Sequence, residues 1–139
     1  MARYPEHMVV PYRKELTSSG FTELKTADEV ENVMRNTQGT VLLVVNSVCG
    51  CAAGSARPGI VSSLNGDKKP DHLYTVFAGM EVEATNTARK YMLPYPPSSP
   101  SIALFKDGVL VHMIQRHHIE GTPAMLIAMN LKGAYEEHC

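Results

Sequence analysis

The sequence lacks an excess of charge of either sign. Its formal net charge is −1 over 139 residues, and acidic and basic residues are interspersed along the chain. Proteins that bind nucleic acid or anionic membranes through phosphate groups carry a basic patch or stripe. The charge pattern therefore argues against nucleic acid and membranes as partners, and we expect small molecules or proteins instead.

The sequence also lacks long apolar segments and has few cysteines. Its first residues, MARYPEHMVVPYRKEL, hold no apolar core of signal-peptide length, and no segment approaches the roughly 18 apolar residues of a membrane span. We therefore expect a cytoplasmic protein. A chain of this length buries an apolar core without disulfides, and the cytosol keeps thiols reduced. The three cysteines are thus available for catalysis or metal binding.

Apolar periodicity predicts a single α/β domain. Two helices make residues 1–38 a helical N-terminal extension; the first places Met8, Tyr12 and Leu16 on one face, and the second begins at a capping box, Thr26–Glu29. The core, residues 39–139, has the order βαβαββα. Its strands are predicted at 41–45, 73–78, 102–105 and 109–114, and its helices at 51–64, 82–92 and from 122 onward. The last two strands form a hairpin at Asp107-Gly108, so the central sheet is mixed.

Two of the cysteines lie one residue apart in NSVCGCAAGSARP, where the apolar strand TVLLVV turns into a helix. A thiol at a helix N-terminus faces unpaired N–H groups and the positive end of the helix dipole, which both favour the thiolate. Cys49 is therefore the predicted nucleophile. Cys51 can attack a mixed disulfide formed at Cys49, and Gly50 gives the backbone freedom that this short ring needs.

Other uses of the pair remain open. The cysteines could be small core residues at a strand end, or a C-x-C metal clip completed by His72, His112, His117 or His118, although no second cysteine pair is present. The Cys51-x5-Arg57 spacing is also that of a phosphate-binding loop of phosphatases. Outside that reading, we expect Arg57 to be a solvated or partner-facing charge in the first helical turns, or to favour a nearby thiolate.

The segment Ser99-Pro100-Ser101-Ile102-Ala103-Leu104-Phe105 precedes the predicted hairpin. Together with the strand, the cysteines at a helix start and the following βα unit, it resembles the thioredoxin fold. In that family a cis-proline before such a strand lies against the redox cysteines. The resemblance implies that Pro100 is this cis-proline.

A closer resemblance covers nearly the whole chain. The CGC motif, PSSPSIAL, RHHIEG at 116–121 and the terminal Cys139 are similar to bacilliredoxins, bacterial thioredoxin-like proteins. This likeness implies removal of bacillithiol from S-bacillithiolated proteins, or more general disulfide isomerisation. Cys49 then attacks and Cys51 resolves, with bacillithiol as co-substrate, no other cofactor, no metal, and a reductase or thiol for recycling.

Several further residues are candidates for supporting the cysteines or binding substrate. They lie next to the cysteine pair, next to the proline or after the last strand: Asn46, Gly50, Arg57, Ser99, Pro100 and His117. By default His117 is a surface histidine, and Cys139 is expected to be an exposed terminal thiol.

Overall fold

The computed structural model describes residues 2–139. Five strands form one mixed sheet in the order β1-β3-β2-β4-β5, in which β1, β3 and β2 are parallel and β4 and β5 are antiparallel to their neighbours. The elements, in chain order, are α1 Glu6–Thr17, β1 Thr22–Glu23, α2 Ala27–Asn36, β2 Thr40–Asn46, α3 Arg57–Ser63, β3 His72–Phe77, α4 Val82–Lys90, β4 Ser101–Lys106, β5 Val109–Ile114, α5 Arg116–Ile119 and α6 Ala124–His138.

Strand β2 lies at the centre of the sheet because both of its faces are apolar. All seven of its residues are buried. Leu42 and Val44 pack on one face with residues of α3 and α6, whereas Leu43 and Val45 pack on the other face with residues of α2 and α4. Helices therefore cover both faces, as a continuous apolar strand requires.

The predicted order βαβαββα is confirmed, and two short elements are added to it. Strand β1 lies in the N-terminal extension and pairs in parallel with β3, so this extension contributes an edge of the sheet. Two residues are too few for a period-two pattern, and the four-residue helix α5 is likewise too short for a helical one. Among residues 2–139, no helix is long and apolar enough to cross a membrane.

The face predicted for the first helix was wrong in part. Helix α1 buries Leu16 as predicted, but its other buried residues are Val9 and Arg13, while Tyr12 is half-buried and Met8 is 39% exposed. The reason is a buried charge: the Arg13 guanidinium lies 2.9 Å from a Glu6 carboxylate oxygen and 2.8 Å from one of Glu81, and it also pairs with Glu23. Apolar periodicity cannot detect a helix face that is anchored by an arginine.

Candidate active site

Four segments of the chain meet at one end of the sheet, where β2, β3 and β5 finish and β4 begins. In the register, Asn46 at the end of β2 aligns with Phe77 at the end of β3, and Ser101 at the start of β4 aligns with Val45. Strand β5 returns antiparallel and ends at Ile114, opposite Ile102. The same end of the sheet therefore holds the loops with the cysteine pair, Gly79, the Ser99–Pro100 bond and Arg116.

Cys49 lies at the start of a helical segment, as predicted. Its carbonyl oxygen accepts hydrogen bonds from the N–H groups of Ala52 at 3.0 Å and Ala53 at 3.3 Å. Its own N–H donates to Ser47 Oγ at 3.2 Å, and the N–H of Cys51 donates to Cys49 Sγ at 3.3 Å. Residues 52–56 then form a π-helical turn that leads into α3. The first sulfur is thus held by a backbone donor two residues further along the chain.

The two half-buried thiols differ in acidity. Burial works against the Cys49 thiolate, but hydrogen bonds from the Cys51 thiol and from the N–H groups of Cys51 and Ala52, with the charge of Arg116, bring the pKa of Cys49 below its usual value. Burial, together with the Cys49 sulfur as hydrogen-bond partner and neighbouring charge, raises the pKa of Cys51 to about 11. The lower pKa favours Cys49 as the thiolate of the pair, with Cys51 as a protonated donor to it.

Arg116 is the residue that the sequence reasoning missed. It follows β5 directly, donates from Nη1 to the Ser99 carbonyl at 3.3 Å and from Nε to Glu120 Oε1 at 2.7 Å, and its charge lowers the pKa of Cys49. Within RHHIEG at 116–121, the sequence analysis considered the histidines and not the arginine. The signal that identifies Arg116 is the sheet topology, because β5 and β2 finish at the same end of the sheet.

Arg57 is not a solvated or partner-facing charge, so that part of the expectation was wrong, while an effect of Arg57 on a nearby thiolate stays a prediction. It is 1% exposed, and its Nη1 donates to Asn46 Oδ1 at 3.0 Å and to the Ser47 carbonyl at 2.8 Å. Its guanidinium lies over the Tyr12 ring, 4.7 Å from the centroid. Nε is 3.1 Å from Glu15 Oε1, an ion-pair distance without hydrogen-bond alignment. This burial against the strand end removes Arg57 from any phosphate cradle with Cys51.

The Asn46 side chain stabilises the turn that follows β2 and leads to the cysteine pair. This side chain is buried, accepts from the Ser47 N–H at 2.9 Å and donates to the Tyr12 carbonyl at 3.2 Å. Arg57 and Asn46 thus tie the end of β2 to α1. Gly50, by contrast, is exposed, and a Cβ placed on it would meet no atom within 4 Å.

The Ser99–Pro100 peptide bond is cis, as predicted. Pro100 is buried, and Ser99 lines the same cavity as Cys49. Contact between Pro100 and the cysteine pair stays a prediction. His117 is exposed on α5, with its ring 4.0 Å from that of His118, and it does not belong to the residues that line this cavity.

The cavity beside Cys49 has a volume of about 540 Å³. Its walls come from the N-terminus, the loops after β2 and β3, one face of α4, and the segments before β4 and after β5. The lining residues are Arg3, Tyr4, Ser47, Val48, Cys49, Ala78, Gly79, Val82, Thr85, Asn86, Arg89, Ser99 and Arg116. Within residues 2–139, no three His, Cys, Asp or Glu side chains are grouped so that they could hold a metal ion.

Cys139 lies at the other end of the sheet. The groups that act on its thiol include Thr40, at the start of β2, and Asp71, and burial raises its pKa. The residue is exposed, as predicted. The cysteine pair follows the opposite end of β2, so the structure does not bring the third cysteine to the active site.

The chain resembles known proteins over nearly its whole length. The disulphide isomerase family matches residues 4–139. A bacilliredoxin of Cytophaga hutchinsonii is 59% identical, covering 96% of this chain and 98% of its own, and one of Halalkalibacterium halodurans is 57% identical over 98% and 94%. Oxidised thioredoxin O2 of Arabidopsis thaliana has a TM-score of 0.57 at 19% identity, covering 85% of this chain and 96% of its own. The predicted thioredoxin-like fold is thereby confirmed.

Proposed function

This chain belongs to the bacilliredoxin family of thiol–disulfide oxidoreductases, and we propose that it removes bacillithiol from S-bacillithiolated proteins through Cys49 and Cys51. The observation that carries the proposal is the hydrogen-bonded pair itself. The Cys51 N–H donates to Cys49 Sγ at 3.3 Å, and the pKa of Cys49 is lowered while that of Cys51 is raised. This difference in acidity supports Cys49 as the attacking thiol and Cys51 as the resolving thiol.

The first step exchanges one disulfide for another. The Cys49 thiolate attacks the bacillithiol sulfur of the mixed disulfide, the bond to the substrate cysteine breaks, and that cysteine leaves as a thiolate. A new disulfide then joins Cys49 to bacillithiol. This step needs no outside oxidant or reductant, because one disulfide and one thiolate are exchanged for another disulfide and another thiolate.

The second step uses Cys51, whose acidity depends on the state of Cys49. Two of the causes that raise the pKa of Cys51 are the hydrogen bond to the Cys49 sulfur and its negative charge. Both disappear once Cys49 is part of a disulfide, so the pKa of Cys51 falls at that moment. Cys51 loses its proton to solvent, attacks Cys49 and expels bacillithiol as a thiolate, while the pair is oxidised by two electrons.

The test uses a model protein that carries one bacillithiol, with intact mass as the readout. Cys51→Ala protein should accept one bacillithiol on Cys49 and stop, whereas Cys49→Ala should accept none. Cys139→Ser serves as the control and should behave like the unchanged protein. Multiple turnovers by Cys51→Ala without an added thiol would contradict the two-cysteine scheme.

A second candidate function is general disulfide isomerisation, which is supported by the description of the matching family. It uses the same nucleophile but takes protein disulfides as substrates. Rescue of a scrambled protein by the chain, with no preference for bacillithiolated substrates, would favour it.

We place the activity in the cytoplasm, where the free thiols of Cys49 and Cys51 would be kept reduced. The partners in this scheme are S-thiolated proteins, bacillithiol as co-substrate, and a reductase or thiol that supplies two electrons to the oxidised pair. The thiols need no other cofactor for the exchange.

A further inference from the structure

The cavity beside Cys49 combines three arginines with an absence of acidic groups. Arg3, Arg89 and Arg116 line it, and none of its lining residues in the described part of the chain is an aspartate or glutamate. Among these arginines, only Arg116 has a carboxylate partner within residues 2–139, Glu120 at 2.7 Å. The cavity therefore carries positive charge that the protein itself does not fully neutralise.

Two polar atoms in the cavity wall are buried without a partner. The hydroxyl of Thr85, a residue that is 2% exposed, and Nε of Arg89 make no hydrogen bond to any residue from 2 to 139. Buried donors of this kind are costly unless they are satisfied, and burial lowers the pKa of Arg89. The buried guanidinium of Arg13, in α1, shows the contrast, because three carboxylates surround it.

The position of the cavity identifies what would satisfy these donors. Cys49 is part of the cavity wall, so a small thiol bonded to Cys49 in a mixed disulfide would extend into the cavity. A volume of about 540 Å³ is in the range of sites for small molecules. The fork of an arginine matches a carboxylate with two parallel hydrogen bonds, and a threonine hydroxyl can donate a further one.

We propose that this cavity is an anion subsite in which Arg89, assisted by Arg3 and Thr85, binds a carboxylate of the small thiol that is attached to Cys49. The subsite deepens the proposed function and rests on it for the nature of the attached thiol. It makes acidic low-molecular-weight thiols preferred leaving groups over neutral ones, because the carboxylate is held while the sulfur is exchanged.

Anion binding can be measured without any redox chemistry. In the Cys49→Ser protein, titration with succinate should give saturable amide NMR shifts around Thr85 and Arg89. Arg89→Gln should abolish them and Arg3→Gln should weaken them, whereas Lys90→Gln, which removes a charge from the next, exposed position of α4, should leave them unchanged. Shifts that are absent, or that persist in both arginine variants, would overturn the subsite.

The second experiment measures charge selectivity in thiol exchange. The rate constant of Cys49 with the dianionic disulfide of thioglycolate is divided by that with the neutral disulfide of mercaptoethanol. The ratio should fall roughly five- to tenfold in Arg89→Gln, the loss expected for one charge-assisted contact, and less in Arg3→Gln. Lys90→Gln is the matched control, and an equal ratio in all four proteins would overturn the proposal.

Failure of the subsite and failure of the proposed function give different results. Removal of bacillithiol from proteins without any succinate binding or charge selectivity would leave the proposed function standing and overturn the subsite. Succinate binding that depends on Arg89, in a protein that transfers no bacillithiol, would support the subsite and contradict the proposed substrate.

Discussion

A cysteine lies near each end of β2, Cys49 after its carboxyl end and Cys139 close to Thr40 at its amino end, and the two have opposite chemical surroundings. At the carboxyl end, backbone donors and Arg116 stabilise the thiolate of Cys49. At the amino end, burial and the Asp71 carboxylate raise the pKa of Cys139. Strands rise about 3.3 Å per residue, so the seven residues of β2 separate these ends by roughly 20 Å.

This difference shows that thiol reactivity follows from sheet topology. The carboxyl end of β2 leads into the helical segment that begins beside Cys49, where the Cys51 N–H donates to Cys49 Sγ and not to a preceding backbone carbonyl. The amino end of β2 is closed by Asp71, which accepts hydrogen bonds from the N–H and hydroxyl of Thr40 at 3.0 and 3.2 Å. A thiol is activated at the first end and suppressed at the second.

The largest expected difference is in thiol transfer. Cys49→Ser should lower the rate of transfer from a bacillithiolated protein more than about a thousandfold, as loss of a nucleophile does, while Cys139→Ser should leave it unchanged. Single-turnover transfer followed by mass spectrometry measures both. Comparable losses in the two variants would break the distinction between the ends of the strand.

The next difference is in the pH dependence of alkylation. Iodoacetamide labelling of the native protein, read for each cysteine by peptide mapping, should give a midpoint for Cys49 below the ordinary value of a cysteine thiol, because its pKa is lowered. The midpoints for Cys51 and Cys139 should lie above it, because the pKa of each is raised. A Cys139 midpoint below that of Cys49 would contradict the assignment.

Features that are determined by residues close together in the sequence could be predicted. The apolar run at residues 41–45 predicted the central strand, and the position of Cys49 at the following helix start needed no distant contact. The capping box at Thr26, with Glu29 N–H donating to Thr26 Oγ1 at 3.1 Å, is equally local. The Ser99–Pro100 segment was recognised from its resemblance to thioredoxins.

Features made by distant residues could not be predicted in this way. Arg116 reaches the active site because β5 pairs antiparallel with β4, a relation that lies in the register and not in any single segment. Arg57 is buried because Asn46 and Ser47 accept its hydrogen bonds, against the usual exposure of arginine. The cavity is formed by six parts of the chain that are distant in sequence or belong to different elements.

Arg116 gives a smaller, electrostatic test of the active end. Because its charge lowers the pKa of Cys49, Arg116→Gln should raise that pKa and slow alkylation of Cys49 at pH 6 by roughly two- to fivefold, as expected for an exposed charge pair. Added salt should reduce the gap between the variant and the unchanged protein.

The control for this test is Lys106→Gln. Lys106 is exposed at the end of β4 and pairs with Thr40 in the register. The substitution therefore removes one positive charge, as Arg116→Gln does, but from the opposite end of the sheet. Its effect on Cys49 should be absent. An equal slowing by both variants would mean that net charge, and not the position of Arg116, controls the thiolate.

The smallest effect is expected at the closed end, from Asp71→Asn. Asp71 is exposed, and its amide replacement can keep one of the hydrogen bonds from Thr40, so the loss of stability at pH 7 should be only about 0.5–1 kcal/mol. Hydrogen bonds from Thr40 lower the pKa of Asp71 in the folded state. The stabilisation is therefore complete above the unfolded pKa of about 3.9 and is lost as the pH falls through the folded value.

Urea unfolding at pH 7 and at a series of acid pH values, from the unfolded carboxyl pKa of about 3.9 down through the lowered folded value, measures this dependence. The two proteins should differ at neutral pH and converge in acid, because protonated aspartate no longer offers a charged acceptor to Thr40. The same variant should lower the pKa of Cys139, since the Asp71 charge is one of the causes that raise it, and leave Cys49 unaffected. A stability difference that grows in acid would contradict this prediction, because the ionised carboxylate would then destabilise the amino end of β2.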